Sequence, residues 1–238
     1  MNLPAFFADA IPGITGAVRL DREESHHATA VLRLHAGAEI RLLDGKGALA
    51  RARVIGIAGT CVECEVLERD TRPRRFPRIH LGSALPKGER QNILLDMATQ
   101  LGMASFTPLA CARGVAAAGA SAHRRWERVC RSACKQALEP YLPDLRAERE
   151  PVEFVRTLSA TGAPVLLADR DGDAVATIDT SATELGLLVG PEGGFTEGER
   201  AAILAAGARP LRLAAHVLRV ETAVVAGLAI LHAGRGTD

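Results

Sequence analysis

Aromatic residues are scarce, with six Phe, one Tyr and one Trp in 238 residues. That argues against base stacking on an aromatic platform, the mode of RNA-recognition-motif sheets. Lysine is scarcer still, three residues against 26 arginines, while alanine is abundant. Codon bias accounts for such an excess, so the number of arginines alone says nothing about partners. A long apolar run is also missing. The longest stretch, Thr222 to Gly234, contains His232, and it falls well short of the roughly 20 residues of a bilayer span. The first basic residue is Arg19, so a positively charged signal-peptide start is absent. Five cysteines without a secretion signal favour reduced thiols and a cytoplasmic location. Hydrophobic residues at 47% and charged residues at 24% are the balance of an ordinary globular protein, not a disordered one. The length accommodates one large domain, or a small one followed by a larger one.

Residues 1 to 70 read as β-rich. Glu39 to Asp44 alternates loosely, Gly45-Lys-Gly47 supplies a turn, and Ala48 to Ile57 and Cys61 to Leu67 follow as strands, the pattern of a small barrel or sandwich. A short helix over about Glu24 to Leu34 interrupts them. Residues 71 to 78, Thr-Arg-Pro-Arg-Arg-Phe-Pro-Arg, read as an extended basic linker. From 79 to 238 strand and helix alternate. Strands are expected over His80 to Leu85, Ser105 to Ala110, Pro164 to Ala168, Leu185 to Val189 and Leu211 to Leu213. Helices are expected over Arg90 to Leu101 and Ser121 to Leu138. Thr196 and Glu199 form a capping box opening a helix that stops at Gly207. Val220 to Ala233 is a helix apolar nearly all round, suited to a core or an oligomer interface. The fold class is α/β with a mostly parallel sheet, preceded by a small β domain.

Cys61-Val-Glu-Cys64 invites a metal or redox reading, but residues three apart on a strand face opposite sides, and no second pair has zinc-ribbon spacing. No metal is expected. The sharper feature is Leu187-Leu-Val-Gly-Pro-Glu-Gly-Gly-Phe195, a buried strand entering a glycine loop and then a capped helix. Glycines let backbone approach a ligand closely. A phosphate cradle would carry Lys, whereas this loop carries Glu192. An acidic glycine loop suits a cationic or neutral ligand such as S-adenosylmethionine, with its sulfonium and ammonium. Leu218-Arg-Val-Glu-Thr-Ala223 joins the last strand to the last helix, with Glu221 near a helix N-terminus and Arg219 just outside it. Lys87, in Leu85-Pro-Lys-Gly88, stands at the carboxyl end of a strand, where ligands of open α/β sheets gather.

Taken in order, these segments resemble the RsmE family, ribosomal RNA small-subunit uridine methyltransferases of the SPOUT superfamily. The likeness begins at His26-His27, Val31-Leu-Arg33 and Asp44-Gly-Lys-Gly47. It continues through Leu85-Pro-Lys-Gly88, Leu101-Gly102, Thr107-Pro108, Gln136, Gly190-Pro-Glu-Gly-Gly194 and Leu218-Arg219 with Glu221-Thr-Ala223. The resemblance implies a PUA-like β-barrel that helps bind RNA, a methyltransferase domain threaded into a trefoil knot, an exception to the no-knot rule, and a homodimer. It further implies methylation of N3 of a uridine (family position 1498) in 16S rRNA of the small ribosomal subunit, with S-adenosylmethionine as cofactor. Carried over by position, the cofactor pocket is Leu167, Ala168, Gly190, Pro191, Glu192, Gly193, Gly194, Leu213, Val217, Leu218, Arg219 and Thr222. Arg219 would stabilise charge on the uracil oxygens, and Glu221 or Glu192 would orient the base or accept its proton. Met97, Gln100, Glu139 and His216 depart from the residues usual in the family. These departures leave a second reading open, an RNA-binding or ribosome-assembly factor of the same fold, and a third, a related methyltransferase with another RNA target.

The total charge of +1 conceals a segregation. Residues 69 to 90 hold seven Lys or Arg against two acids, net +5; residues 113 to 135 hold six against one, again +5; residues 150 to 238 hold seven against twelve, net −5. A basic linker and a basic helix beside an acidic half point to RNA. The expected RNA-binding residues are His26, Arg33 and Lys87, with phosphate contacts from Arg74, Arg75, Arg78, Arg90, Arg124, Arg125 and Arg128.

Overall fold

The structure, a computed structural model, describes residues 3–59, 61–119, 121–174 and 182–233. Its contacts divide the chain into two units, Met1–Arg74 with Arg131–Leu142, and Arg75–Cys130 with Pro143–Asp238. Among the described residues no helix is long and apolar enough to cross a membrane.

In the first unit, β1 (Ala5–Phe7), β2 (Ala17–Arg19), β3 (Glu39–Leu43), β4 (Ala48–Ala58) and β5 (Cys61–Thr71) form one sheet in the order β1-β3-β4-β5-β2. β1 runs parallel to β3 and the other pairs are antiparallel. Alternation along β5 sends Val62, Cys64 and Val66 into a core with Phe6, Ile40, Leu42 and Val54. Cys61 stays half-buried on the other side, and both thiols are free. The helix expected over 24–34 is shorter and irregular. α1 (Arg22–His26) is capped by Asp21, whose Oδ1 accepts from the Glu24 N–H at 2.7 Å, and it passes into a π-helical turn, His27–Val31. Arg33 follows with φ 53°. Glu24 is buried, and its carboxylate is matched by Lys135, which donates to both oxygens at 2.9 and 3.1 Å. Such a buried carboxylate requires a partner of opposite charge.

The second unit holds a wholly parallel sheet of β6 (Arg78–Ser83), β7 (Ser105–Pro108), β8 (Asp144–Leu145), β9 (Val165–Ala174), β10 (Glu184–Val189) and β11 (Arg209–Arg212), ordered β11-β9-β10-β6-β7-β8. Its helices are α2 (Arg90–Gln100), α3 (Ala122–Ala137, whose last residues belong to the first unit), α4 (Pro151–Ser159), α5 (Glu197–Ala205) and α6 (Val220–Ala233). α4 and β8 were not expected from the sequence. All five expected strands have somewhat different bounds: β6 and β11 each start two residues earlier, β7 ends two residues earlier at Pro108, β10 starts one residue earlier at Glu184, and β9 runs on to Ala174. Small residues set the layer spacing. A Cβ on Gly186 would lie 2.8 Å from Leu158 Cδ1 on the α4 side, and one on Gly227 of α6 would lie 2.6 Å from Leu187 Cδ2 on the opposite side. β10 is thereby sandwiched between two helical layers.

At the amino ends of the strands, His80 is buried between Ser105, whose Oγ is 2.7 Å from Nδ1, and Glu184, whose Oε2 is 2.5 Å from Nε2. Arg78 also donates to Glu184, at 2.9 Å. Burial lowers the His80 pKa; Glu184 opposes the shift, Arg146 and Arg78 add to it, and the net change is downward. The neutral ring then donates from Nε2 to Glu184 and accepts the Ser105 hydroxyl at Nδ1.

Two expectations follow from this packing. Gly227→Val should lower stability by about 1–3 kcal/mol through overpacking against Leu187, read as a lower urea midpoint. Because His80 binds a proton less readily when folded, its contribution is complete above the unfolded pKa, about 6.5, and is lost as pH falls below it. Urea stability should therefore fall from pH 7 to pH 5.5, with a shallower fall in His80→Asn. An unchanged slope in that variant would assign the effect to other groups.

Candidate active site

The β9–β11 pairing contains a large bulge. Its register passes from Pro210 opposite Leu167 directly to Leu211 opposite Asp173, so residues 168 to 172 leave the ladder. Gly172 returns the chain to it in a space where a Cβ would lie 2.6 Å from the Leu211 nitrogen. This bulge, the loop after β10 and the loop after β11 enclose a cavity of about 450 Å³, inside the range of about 300–1,000 Å³ typical of small-molecule sites. Leu167, Ala168, Gly190, Pro191, Glu192, Gly193, Gly194, Leu213, Val217 and Leu218 line it, as do Asp169, Arg170, Asp171, Phe195, Arg200 and His216.

Arg219 and Thr222, assigned to the pocket by position, are not on its wall. Val220 and Ala223 face the cavity from α6, and helical periodicity turns Thr222 to the exposed side. Arg219 lies exposed just before α6 and, among the described residues, its guanidinium has no ion pair. The bulge residues were missed because a strand read from hydrophobicity stops at Ala168. Asp169 is the visible trace, an acid directly after a buried run. Arg200 of α5 donates to its Oδ2 at 2.6 Å.

The glycine loop is held at both ends. Ala84 N–H donates to the Val189 carbonyl at 2.9 Å, and Gly194, with φ 67°, donates to the Pro191 carbonyl at 2.8 Å. A Cβ on Gly190 would stand 2.8 Å from the Phe195 ring, which only glycine permits without displacement. The capping box is present: Thr196 Oγ1 accepts from Glu199 N–H at 3.1 Å, and Glu199 Oε2 accepts from Thr196 N–H at 2.8 Å. Burial raises the Glu199 pKa, but the hydrogen bonds from Ala112 and Thr196 outweigh it, so the carboxyl lies below the usual range.

Arg90 stands between the two candidate carboxylates, 4.0 Å from Glu192 and 3.9 Å from Glu221. Glu192 is partly exposed on the cavity wall. Glu221 is buried, off the wall, and among the described residues its Oε2 has no hydrogen-bond partner. Cysteine chemistry is disfavoured. Burial pushes the thiols of Cys64 and Cys130 up to about 11 and that of Cys111 to about 12, so thiolate is scarce at neutral pH.

Of the residues expected to bind RNA, His26 and Arg33 are exposed in the first unit, where Arg74 lies 4.3 Å over the Tyr141 ring. In the second unit Arg75, Lys87, Arg124, Arg125 and Arg128 are exposed, and Arg125 also donates to Gln91 at 2.9 Å. Arg78 is different: it is engaged by Glu184 within the sheet. Of the residues departing from the family pattern, His216 lines the cavity. Gln100 donates to Asp96 at 2.9 Å, Glu139 accepts from Tyr141 N–H at 3.1 Å, and Met97 is half-buried on α2.

Comparison with known proteins gives the family. The RNA methyltransferase domain family matches residues 73–232, and the RNA methyltransferase PUA domain family matches residues 20–67. Ribosomal RNA small subunit methyltransferase E of Mycobacterium bovis is 36% identical over 234 residues, covering 94% of this chain and 88% of the relative. The Synechocystis enzyme of the same name is 29% identical, covering 92% and 74%. The structure of ribosomal RNA small subunit methyltransferase E from Neisseria gonorrhoeae bound to S-adenosyl methionine superimposes with a TM-score of 0.89 at 26% identity, covering 98% of both chains. With a SPOUT-type α/β fold behind a PUA-like domain, the chain belongs to the ribosomal RNA small subunit methyltransferase E (RsmE) family.

Proposed function

We propose that this protein methylates N3 of a uridine in 16S rRNA of the small ribosomal subunit, using S-adenosylmethionine held in the cavity. The observation that carries the proposal is the cavity itself, walled by Gly190–Gly194 and Leu213–Leu218 at the ends of parallel strands, in a chain whose relatives act on small-subunit rRNA. The residues fit the cofactor. Gly190 admits close backbone approach, and the carboxylate of Glu192 on the wall suits a ligand carrying positive charge. When bound, S-adenosylmethionine supplies an electrophilic methyl group on a sulfonium.

Uridine N3 carries a proton that must be removed, and a general base has to lie within hydrogen-bond reach of it. Of the two candidate carboxylates, Glu192 faces the cavity and Glu221 does not. Glu192 therefore accepts the N3 proton, while Glu221 holds Arg90, and through it Glu192, in place. Arg219, without an ion pair among the described residues, stabilises charge on the uracil oxygens. Exposed Arg74, Arg75, Lys87, Arg124, Arg125 and Arg128, with His26 and Arg33, meet RNA phosphates. Acting on ribosomal RNA, the protein would work in the cytoplasm.

The protein acts as a homodimer. On α6, Thr222, Ala229 and Ala233 are exposed and Val225, Ala226 and Ile230 half-exposed, and on neighbouring α2 Ile93 is 48% exposed. A second copy would cover this apolar face.

Mass mapping of modified nucleosides in small-subunit rRNA, with and without the protein, should show one N3-methyluridine that depends on it. An unchanged spectrum would favour the assembly-factor reading. Glu192→Gln should slow methyl transfer by about 10²–10⁴-fold, and Arg219→Ala should slow it while leaving cofactor binding intact; a wild-type rate in Arg219→Ala would remove that role. Ile230→Glu should sediment as a monomer at concentrations where the wild type is dimeric.

A further inference from the structure

The segment after β7 reaches the glycine loop from outside the cavity. Arg113 Nη1 donates to the Gly193 carbonyl at 2.9 Å, and a Cβ built on Gly193 would lie 3.7 Å from Arg113 Cδ. The anchor of this segment is Glu199, whose Oε1 accepts the Ala112 N–H at 2.7 Å while its Oε2 closes the capping box of α5. Packing does not fix the segment in its place. Behind it lies a second cavity of about 720 Å³, lined by Ala112, Gly114, Val115, Ala116 and Ala117 together with Glu148 and Glu150. The side chain of Arg113 is exposed, and an exposed arginine bond is ordinarily weak because a long side chain must be ordered to make it. Here its acceptor is a carbonyl in a loop of three glycines, the backbone with most conformational freedom to lose.

We infer that Arg113 is a positioning residue for cofactor binding: it clamps the Gly193 carbonyl and holds the glycine loop in its binding-competent form. This rests on the reading of the cavity as the S-adenosylmethionine site. The physical basis is population. If the clamp is removed the loop samples other conformations, and apparent affinity falls in proportion to the fraction that remains competent. Chemistry at saturation is unaffected, because Arg113 touches neither the cavity nor Glu192. Lysine can supply one donor at similar reach and should restore most of the effect.

The test uses the full-length chain as wild type, Arg113→Ala and Arg113→Lys, titrated with S-adenosylmethionine by calorimetry and assayed for methyl transfer to small-subunit rRNA. Arg113→Ala should raise the Kd and KM for the cofactor about three- to tenfold, the effect of one lost hydrogen bond, with kcat within about twofold of wild type and recovery in Arg113→Lys. Amide exchange of Gly193 and Gly194 in the cofactor-free protein should quicken in Arg113→Ala while the α6 amides keep their protection. Unchanged affinity and exchange, or a fall in kcat at constant KM, overturns the inference. Absence of cofactor binding by the wild type would instead overturn the reading of the cavity, and the exchange measurement would still decide whether Arg113 clamps the loop.

Discussion

The confinement of β10 between two helical layers is the constraint on which the rest of the second unit depends. Leu185, Leu187 and Leu188 are fully buried, Gly186 accepts the approach of Leu158 on one face, and Gly227 of α6 accepts Leu187 on the other. A parallel strand buried on both faces has no freedom to slide, since a one-residue slip would exchange its two faces. Its last residue is therefore delivered to a fixed point, in register with Ser83 of β6, and the glycine loop starts there. That loop is anchored at its two ends, by the bond from Ala84 to Val189 and by the capped start of α5.

Against this fixed end the neighbouring strand departs from regularity. β9 pairs with β10 through Leu167 and then bulges, so the same strand supplies both the sheet and part of the cavity wall. The bulge carries three charged residues in succession, Asp169, Arg170 and Asp171, which a regular buried strand would not accept. Arg200 pairs with Asp169 across from α5. The polar wall is thereby tied to the helix whose capping box ends the glycine loop, and its shape follows from backbone geometry more than from any single contact.

Much of this was legible in the sequence, because burial on both faces leaves an apolar run and caps leave a side-chain signature. The parallel β10, the capping box of α5 and the apolar α6 are of that kind. What was not legible depends on partners distant in sequence. α4 is a nine-residue helix begun by Pro151, with Phe154, Val155 and Leu158 buried; its stripe is too short to stand out, and its packing against β9, β10 and α5 makes it a helix. β11 contains Pro210, which reads as a breaker, yet it lies at the edge of the sheet, where a missing N–H can be tolerated. Arg219 and Thr222 belong to a motif that borders the cavity, but Arg219 precedes α6 and is exposed, and Thr222 falls on the face of α6 turned away from Val220 and Ala223. Arg113 gave no signal, since its role exists only once β7 and β10 share a sheet.

Charge counted along the chain also changes meaning once the chain folds. Two of the positive charges that made residues 69 to 90 look basic are matched by acids from the acidic half: Arg78 by Glu184, and Arg90 by Glu192 and Glu221. These pairings act differently. Arg78 donates at hydrogen-bond distance and belongs to the sheet, whereas Arg90 sits about one ångström farther from each carboxylate than in a typical hydrogen bond. Its field still lowers the repulsion between two acids placed at one end of a parallel sheet, without tying up an oxygen of either. Arg90 with Glu192 and Glu221 thus brings the basic and acidic segments, separated in sequence, together at one end of the sheet.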